Sequence, residues 1–105
     1  MFKKITSLGE AIEESSHYPV LLYKHSSTCP RSARAQREVE SYLSAYSEDA
    51  YSVVVQDERS LSNEIAEKLN IKHETPQLIV LRADKPPFVL NHENITRPNI
   101  ETVLQ

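Results

Sequence analysis

The sequence contains a single cysteine, Cys29, a single glycine, Gly9, and no tryptophan. One thiol excludes an intramolecular disulfide framework, paired CxxC metal ligands and a dithiol redox cycle completed within the chain. One glycine excludes glycine-rich phosphate loops and GxGxxG dinucleotide turns. Long apolar runs are missing as well. The longest, Val20–Tyr23 and Leu78–Leu81, fall far short of a membrane span. The opening "MFKKITSLGEAIEE" is basic at its start, but it has neither an uninterrupted apolar stretch nor a cleavage site. A formal net charge of −3 gives no electrostatic case for nucleic acid. What remains is an ordinary mixture, 39% apolar and 26% charged, over 105 residues. It predicts a single domain, 1–105, in a soluble cytoplasmic protein.

The periodicity of the apolar residues alternates between two patterns. Ser7-Leu8-Gly9-Glu10 fits a capping box, with Leu8, Ala11 and Ile12 on the inner face of a first helix. Val20–Tyr23 is a continuous apolar run, as in a strand covered on both faces. After Pro30, the residues Ala35, Val39, Tyr42, Leu43 and Tyr46 mark one face of a long helix, with Arg34 and Glu38 as an i, i+4 pair on its wetter side. "YSVVVQD" (51–57) predicts a second buried strand. Ser60 can cap a third helix with Leu61, Ile65 and Leu69 inward, and Asn70 is a left-handed stop followed by apolar Ile71. A strand over 77–82, the turn "ADKPP" and a returning strand over 88–92 predict a hairpin. Thr96 caps a last helix with Pro98 in its first turn and Ile100, Val103 and Leu104 inward. The order α-β-α-β-α-β-β-α predicts an α/β fold, a four-stranded mixed sheet flanked by helices. Its β-α-β unit over 20–57 is parallel with a right-handed crossover.

The one thiol sits at a junction in this order. In "LLYKHSSTCPRSARAQ" (21–36) the apolar strand stops, four small or polar residues follow, and Cys29-Pro30 opens the long helix. Proline suits the first helical position, because its missing N–H has no partner inside the helix anyway. The N–H groups of Arg31 and Ser32 then point out of the helix end toward the sulfur. These donors and the positive end of the helix favour the thiolate. Ser32, three residues on, shares a face with Cys29; its hydroxyl can donate to the thiolate and cannot form a disulfide. Thr28 offers a further hydroxyl, and Arg31 a screened positive charge. The competing reading is a buried apolar filler. The position argues against that, because helix N-termini after parallel strands form exposed rims where ligands bind.

Thr75-Pro76 is the second feature. The strand that it introduces is expected to run antiparallel to Val20–Tyr23, which brings Pro76 toward Cys29 across 46 intervening residues. A cis bond there would turn the Thr75 backbone toward the thiol, as a seat for a partner's backbone or the amides of a small thiol. On base rates an ordinary trans proline opening a strand is the commoner state.

The element order, the Cys-Pro at the head of the second helix and the Thr-Pro before the third strand resemble a thioredoxin-like fold. The stretches "KHSSTCPRS", "VVQDERSLSNEIAEKL", "IKHETPQ" and "NHENIT" resemble the YtxJ family, the monothiol bacilliredoxins. The resemblance covers nearly the whole chain. It implies a cytoplasmic thiol–disulfide oxidoreductase that removes bacillithiol, a small cysteine-containing thiol, from protein mixed disulfides. The active cysteine maps onto Cys29, flanked by Pro30 and Ser32, and the cis-proline onto Pro76. Thr28, Arg31, Thr75 and Pro76 are the expected substrate-binding residues. Bacillithiol enters as co-substrate, and no tightly bound cofactor or metal is expected. The partners implied are S-bacillithiolated proteins and a low-molecular-weight thiol, with no nucleic acid or membrane, and a monomer is the simpler oligomeric expectation. Two positions depart from the family pattern. Arg31 replaces a common aliphatic residue, and Glu93 replaces a frequent aromatic before Asn94-Ile95-Thr96.

Other readings compete. A non-catalytic redox sensor or adaptor would use the same thiol without turnover. A cluster-binding monothiol glutaredoxin carries Cys-Gly-Phe-Ser, which Cys29-Pro30-Arg31-Ser32 does not match. His25 is four residues from Cys29, but no further ligand completes a zinc site, so it is read as closing the strand. His73 and His92 are either groove or surface residues. Arg31, Arg34 and Arg37 either receive carboxylates of the small thiol or form a solvated face. Asn94-Ile95-Thr96 marks a turn and a helix cap.

Overall fold

The computed structural model describes all residues, 1–105. It contains β1 (Phe2–Lys4), α1 (Leu8–Glu14), β2 (Val20–His25), α2 (Pro30–Tyr46), β3 (Ala50–Val54), α3 (Arg59–Leu69), β4 (Gln77–Leu81), β5 (Phe88–Asn91), a 3-10 turn (His92–Asn94) and α4 (Arg97–Leu104). The sheet has five strands in the order β1-β3-β2-β4-β5, not four. The additional strand is β1, which pairs parallel to β3 from Phe2↔Ala50 to Lys4↔Ser52. It is three residues long with two of them exposed, so it carries no periodic signal, and its only partner is nearly fifty residues away. The expected pairings of the other strands hold. β2 and β3 are parallel, β4 is antiparallel to β2, and β5 returns antiparallel to β4.

β2 is central, and its successive side chains point to opposite faces. Leu21 and Tyr23 join Ala35, Val39, Tyr42, Leu43, Leu78, Ile95 and Ile100 on the side of α2 and α4. Val20 and Leu22 join Leu8, Ala11, Val53, Ile65, Ile79 and Leu81 on the side of α1 and α3. Both faces are therefore covered, which is why β2 reads as an unbroken apolar run. No helix is long and apolar enough to cross a membrane.

Local signals explain most helix ends. The Ser7 hydroxyl accepts the Glu10 N–H at 3.1 Å. The box is one-sided, because the Glu10 carboxylate takes the Thr6 hydroxyl instead. Asn70 and Ser47 close α3 and α2 in the left-handed region, at φ 54° and 52°. The Ile71 N–H returns to the Ala66 carbonyl, and its side chain packs on the α3 side of the core. Thr96 caps α4 by accepting the Asn99 N–H at 3.2 Å. Five details differ from expectation. α3 begins at Arg59, one residue before Ser60, with Glu58 at the cap position. β3 ends at Val54, because Val55–Asp57 turn toward α3. Ile12 is exposed at the outer edge of α1, and Tyr46 is exposed at the end of α2, where it rests on Tyr42 and donates to Glu101. Glu38 does not pair with Arg34; it accepts the Arg97 N–H at 2.9 Å and so ties α2 to the start of α4.

Candidate active site

The end of β2 delivers the chain to the rim of the sheet at His25. Ser26–Thr28 cross the rim, and Cys29 occupies the N-cap of α2 in extended conformation, with Pro30 opening the helix. The sulfur is partly exposed. It stands where the oxygen of a capping serine or aspartate would stand. As a neutral thiol it makes no regular capping bond. As a thiolate it is favoured, and the Cys29 pKa lies below its ordinary value. The Ser32 N–H contributes most, partial desolvation opposes it, and the Arg31 N–H and the Arg31 and Ser32 side chains add to it. The fraction of nucleophilic sulfur at neutral pH rises accordingly.

Ser32 is fully buried and held at several atoms. Its hydroxyl accepts the Ser26 N–H at 3.2 Å. Its carbonyl accepts the phenol of Tyr23 at 2.8 Å. With that proton committed to Ser32, His25 Nδ1, 3.1 Å away, supplies the hydrogen of the Tyr23–His25 contact. Burial, and next the charge on Cys29, push the Tyr23 pKa up, so the phenol stays a donor. His25 thus closes the strand, as the sequence suggests, by anchoring the tyrosine.

The loop itself rests on Gln56, which follows β3. Its amide donates to the hydroxyls of Ser26 (2.8 Å) and Thr28 (3.3 Å), and its carbonyl accepts the Ser27 N–H at 3.2 Å. Thr28 is therefore turned to Gln56 rather than offering its hydroxyl to the sulfur. Gln56 is absent from the sequence-based candidates. The available signal was the parallel β2–β3 pairing, which places the residue after one strand beside the residue after the other.

The facing wall comes from the head of β4. The register Lys24↔Gln77 sets Pro76 opposite His25, and the Thr75–Pro76 bond is cis. The Pro76 carbonyl accepts the His92 N–H at 2.9 Å. His92 Nε2 lies 3.1 Å from the Glu74 carboxylate, whose other oxygen is 3.5 Å from Lys72 Nζ. The next residue, Glu93, reaches across to Arg31 at 3.3 Å. The two positions that depart from the family pattern thus face each other over the rim. Arg34 and Ala35 line a small recess beneath them, with His92 and Ile95.

One further group lies behind this wall. Lys24 is completely buried at the end of β2, where the alternation calls for an apolar side chain. Its ammonium donates to the Ser62 carbonyl and to His73 Nδ1, both at 3.2 Å. Burial lowers its pKa to about 8. Burial first, and then the charge of Lys24, lowers the His73 pKa. His73 therefore serves as an internal acceptor at the start of the segment leading to Pro76. No three His, Cys, Asp or Glu side chains converge to hold a metal.

The chain belongs to the monothiol bacilliredoxin BrxC family, whose model matches residues 2–100. A solved protein described as having a thioredoxin fold is 30% identical, with a TM-score of 0.87, over 99% of this chain and 94% of its own. Oxidised thioredoxin O2 from Arabidopsis thaliana is 20% identical, with a TM-score of 0.74 over 99% and 95%. Oxidised thioredoxin from Plasmodium falciparum is also 20% identical, with a TM-score of 0.68 over the same shares. The last two show the fold. It is a thioredoxin-like fold, and the family and fold together support a thiol oxidoreductase.

Proposed function

We propose that this monothiol bacilliredoxin, of the YtxJ type, removes bacillithiol from protein mixed disulfides in a reducing cytoplasm through Cys29. The observation that carries the reading is the partly exposed lone thiol at the N-cap of α2, beside the Ser32 and Arg31 N–H groups that favour its thiolate. The Cys29 thiolate attacks the bacillithiol sulfur of the mixed disulfide. A new S–S bond forms to Cys29, the old one breaks, and its electron pair leaves with the protein sulfur as thiolate. The same helix end that favours the attacking thiolate makes Cys29 a good leaving group in the return step. With no second cysteine in the chain, a free bacillithiol attacks the adduct. It releases Cys29 as thiolate and departs as oxidised bacillithiol. Ser32 donates to the sulfur in its charged state, and Pro30 and Arg31 shape the helix mouth. Thr75 and Pro76 line the opposite side of the groove that receives the mixed disulfide.

Reduced protein incubated with oxidised bacillithiol should gain one adduct mass, located at Cys29. It should then deliver many equivalents of free thiol from an S-bacillithiolated protein when excess bacillithiol is present. Parallel incubations with oxidised glutathione and coenzyme A disulfide should give slower adduct formation. Faster reaction with either of these overturns bacillithiol as the co-substrate. Stoichiometric reaction without turnover overturns the catalytic reading and leaves a redox sensor. Protection of Cys29 from all three overturns exchange chemistry altogether.

A further inference from the structure

Arg31 has two partners of the same sign. Its guanidinium lies 3.3 Å from the Glu93 carboxylate, and its charge favours the thiolate of Cys29, two residues earlier at the same helix mouth. Glu93 is ionised at neutral pH, held below the usual carboxylate range first by its own N–H and then by Arg31. The turn carrying it is fixed at His92, through the Pro76 carbonyl and the Glu74 carboxylate. The ion pair itself is not. Both side chains are more than half exposed (54% and 61%), and a single nitrogen–oxygen contact joins them. Such a pair is weak and exchanges readily with other ions. Arg34 lies beside it as a second cation, on the wall of the same recess.

We infer that Glu93 is an internal stand-in for a substrate carboxylate, so that the Arg31–Glu93 pair sets the charge preference of the thiol site. The inference rests on the exchange chemistry proposed above and adds which adducts it favours. Because Arg31 stands two residues after Cys29 at the same helix mouth, a carboxylate a few bonds from the disulfide can reach the guanidinium while its sulfur meets Cys29. To do so it must displace Glu93, which competes for the same donor and repels the newcomer. An anionic disulfide therefore gains less from Arg31 than the arginine alone would give. A neutral one is indifferent, and a cationic one is helped by Glu93. The covalent step is unchanged: Cys29 forms one S–S bond, and the departing sulfur takes the electron pair.

The test uses reduced full-length protein and three small disulfides: dithiodipropionic acid (anionic), hydroxyethyl disulfide (neutral) and cystamine (cationic). Exchange rates are divided by the thiolate fraction read from ultraviolet absorbance. Glu93→Gln should raise the anionic-to-neutral rate ratio about three- to fivefold, the size of an exposed ion pair, and lower the cationic ratio. Glu93→Asp should keep the parent order. In an Arg31→Gln background, Glu93→Gln should shift the anionic ratio far less, and high salt should shrink every effect. Equal ratios in the parent and Glu93→Gln overturn the inference while leaving thiol exchange intact. Failure to react with any of the three disulfides overturns the exchange reading itself.

Discussion

Lys24 offers the most quantitative test of the packing behind the site. It is a fully buried ammonium without a carboxylate partner, and its pKa falls from 10.5 to about 8. Between these values the unfolded chain keeps a proton that the folded chain has released. Stability therefore rises with pH across that window, and the cost of the buried charge is present in full below it. At ~1.36 kcal/mol per pKa unit, the whole difference amounts to about 3 kcal/mol. About 2 kcal/mol of it falls between about pH 7.5 and about pH 10. Lys24→Met supplies the reference, because methionine is unbranched, similar in length and unable to titrate. The variant leaves the Ser62 carbonyl without this donor, which costs about 1 kcal/mol, and removes a buried charge, which offsets it. At neutral pH it should be as stable as the parent or more so. Urea unfolding of both proteins at several pH values gives the decisive quantity, the difference between them. It should move in favour of the parent by about 2 kcal/mol as pH rises from about 7.5 to about 10. All other groups titrate in both proteins and cancel. A difference that stays flat across that range would refute the reasoning, since Lys24 would then keep its proton inside the fold.

Ser32→Ala should move the Cys29 thiolate titration to higher pH, because it removes one of the donors that favour the charged sulfur. A midpoint that is unchanged or lower would count against that role. The same variant orphans the Ser26 N–H and should cost about 1 kcal/mol in a denaturant melt. Tyr23→Phe removes the second donor to the Ser32 carbonyl, which also takes a helical N–H, and should lower stability by about 1 kcal/mol, with no loss of helix content by circular dichroism. Asn70→Ala should cost about 1 kcal/mol by thermal melting, since its φ of 54° penalises a Cβ that cannot hydrogen-bond locally, and Asn70→Gly should not.

What the sequence displays clearly is what neighbouring residues decide. Cys29-Pro30, Asn70-Ile71 and Thr96 through Asn99 each set a helix end within four positions, and each is found as the pattern predicts. Unbroken apolar runs identify β2 and β4 as the covered strands, since burial on both faces removes the alternation. The misses share a different cause. β1 exists because Ala50–Ser52 offer a free edge, not because Phe2-Lys3-Lys4 looks like a strand. Glu38 looks like a helical ion-pair partner of Arg34 until the start of α4 arrives with an unpaired N–H. Gln56, Lys24 and the Arg31–Glu93 contact depend on elements 28 to 62 residues away in the chain. Side chains of this kind are chosen by tertiary neighbours, so spacing rules that work over a helical turn cannot see them.

The end of β2 shows how such long-range choices build the site. Tyr23 and Lys24 are consecutive, so they point to opposite faces of the sheet at the level of the rim. Each carries a polar tip on a long body. Tyr23 reaches the Ser32 carbonyl, behind the sulfur. Lys24 reaches Ser62 and His73, behind the segment that leads to Pro76. An apolar residue at either position would fill the core equally well and remove that tie between the strand end and its wall. Two buried polar tips at the strand end therefore tie both sides of the groove to the central strand of the sheet. The same arrangement makes the ties separable. Loss of the Tyr23 hydroxyl acts on the thiol side through Ser32, and loss of the Lys24 ammonium acts on the Pro76 side through His73. The strand between them stays covered on both faces in either case.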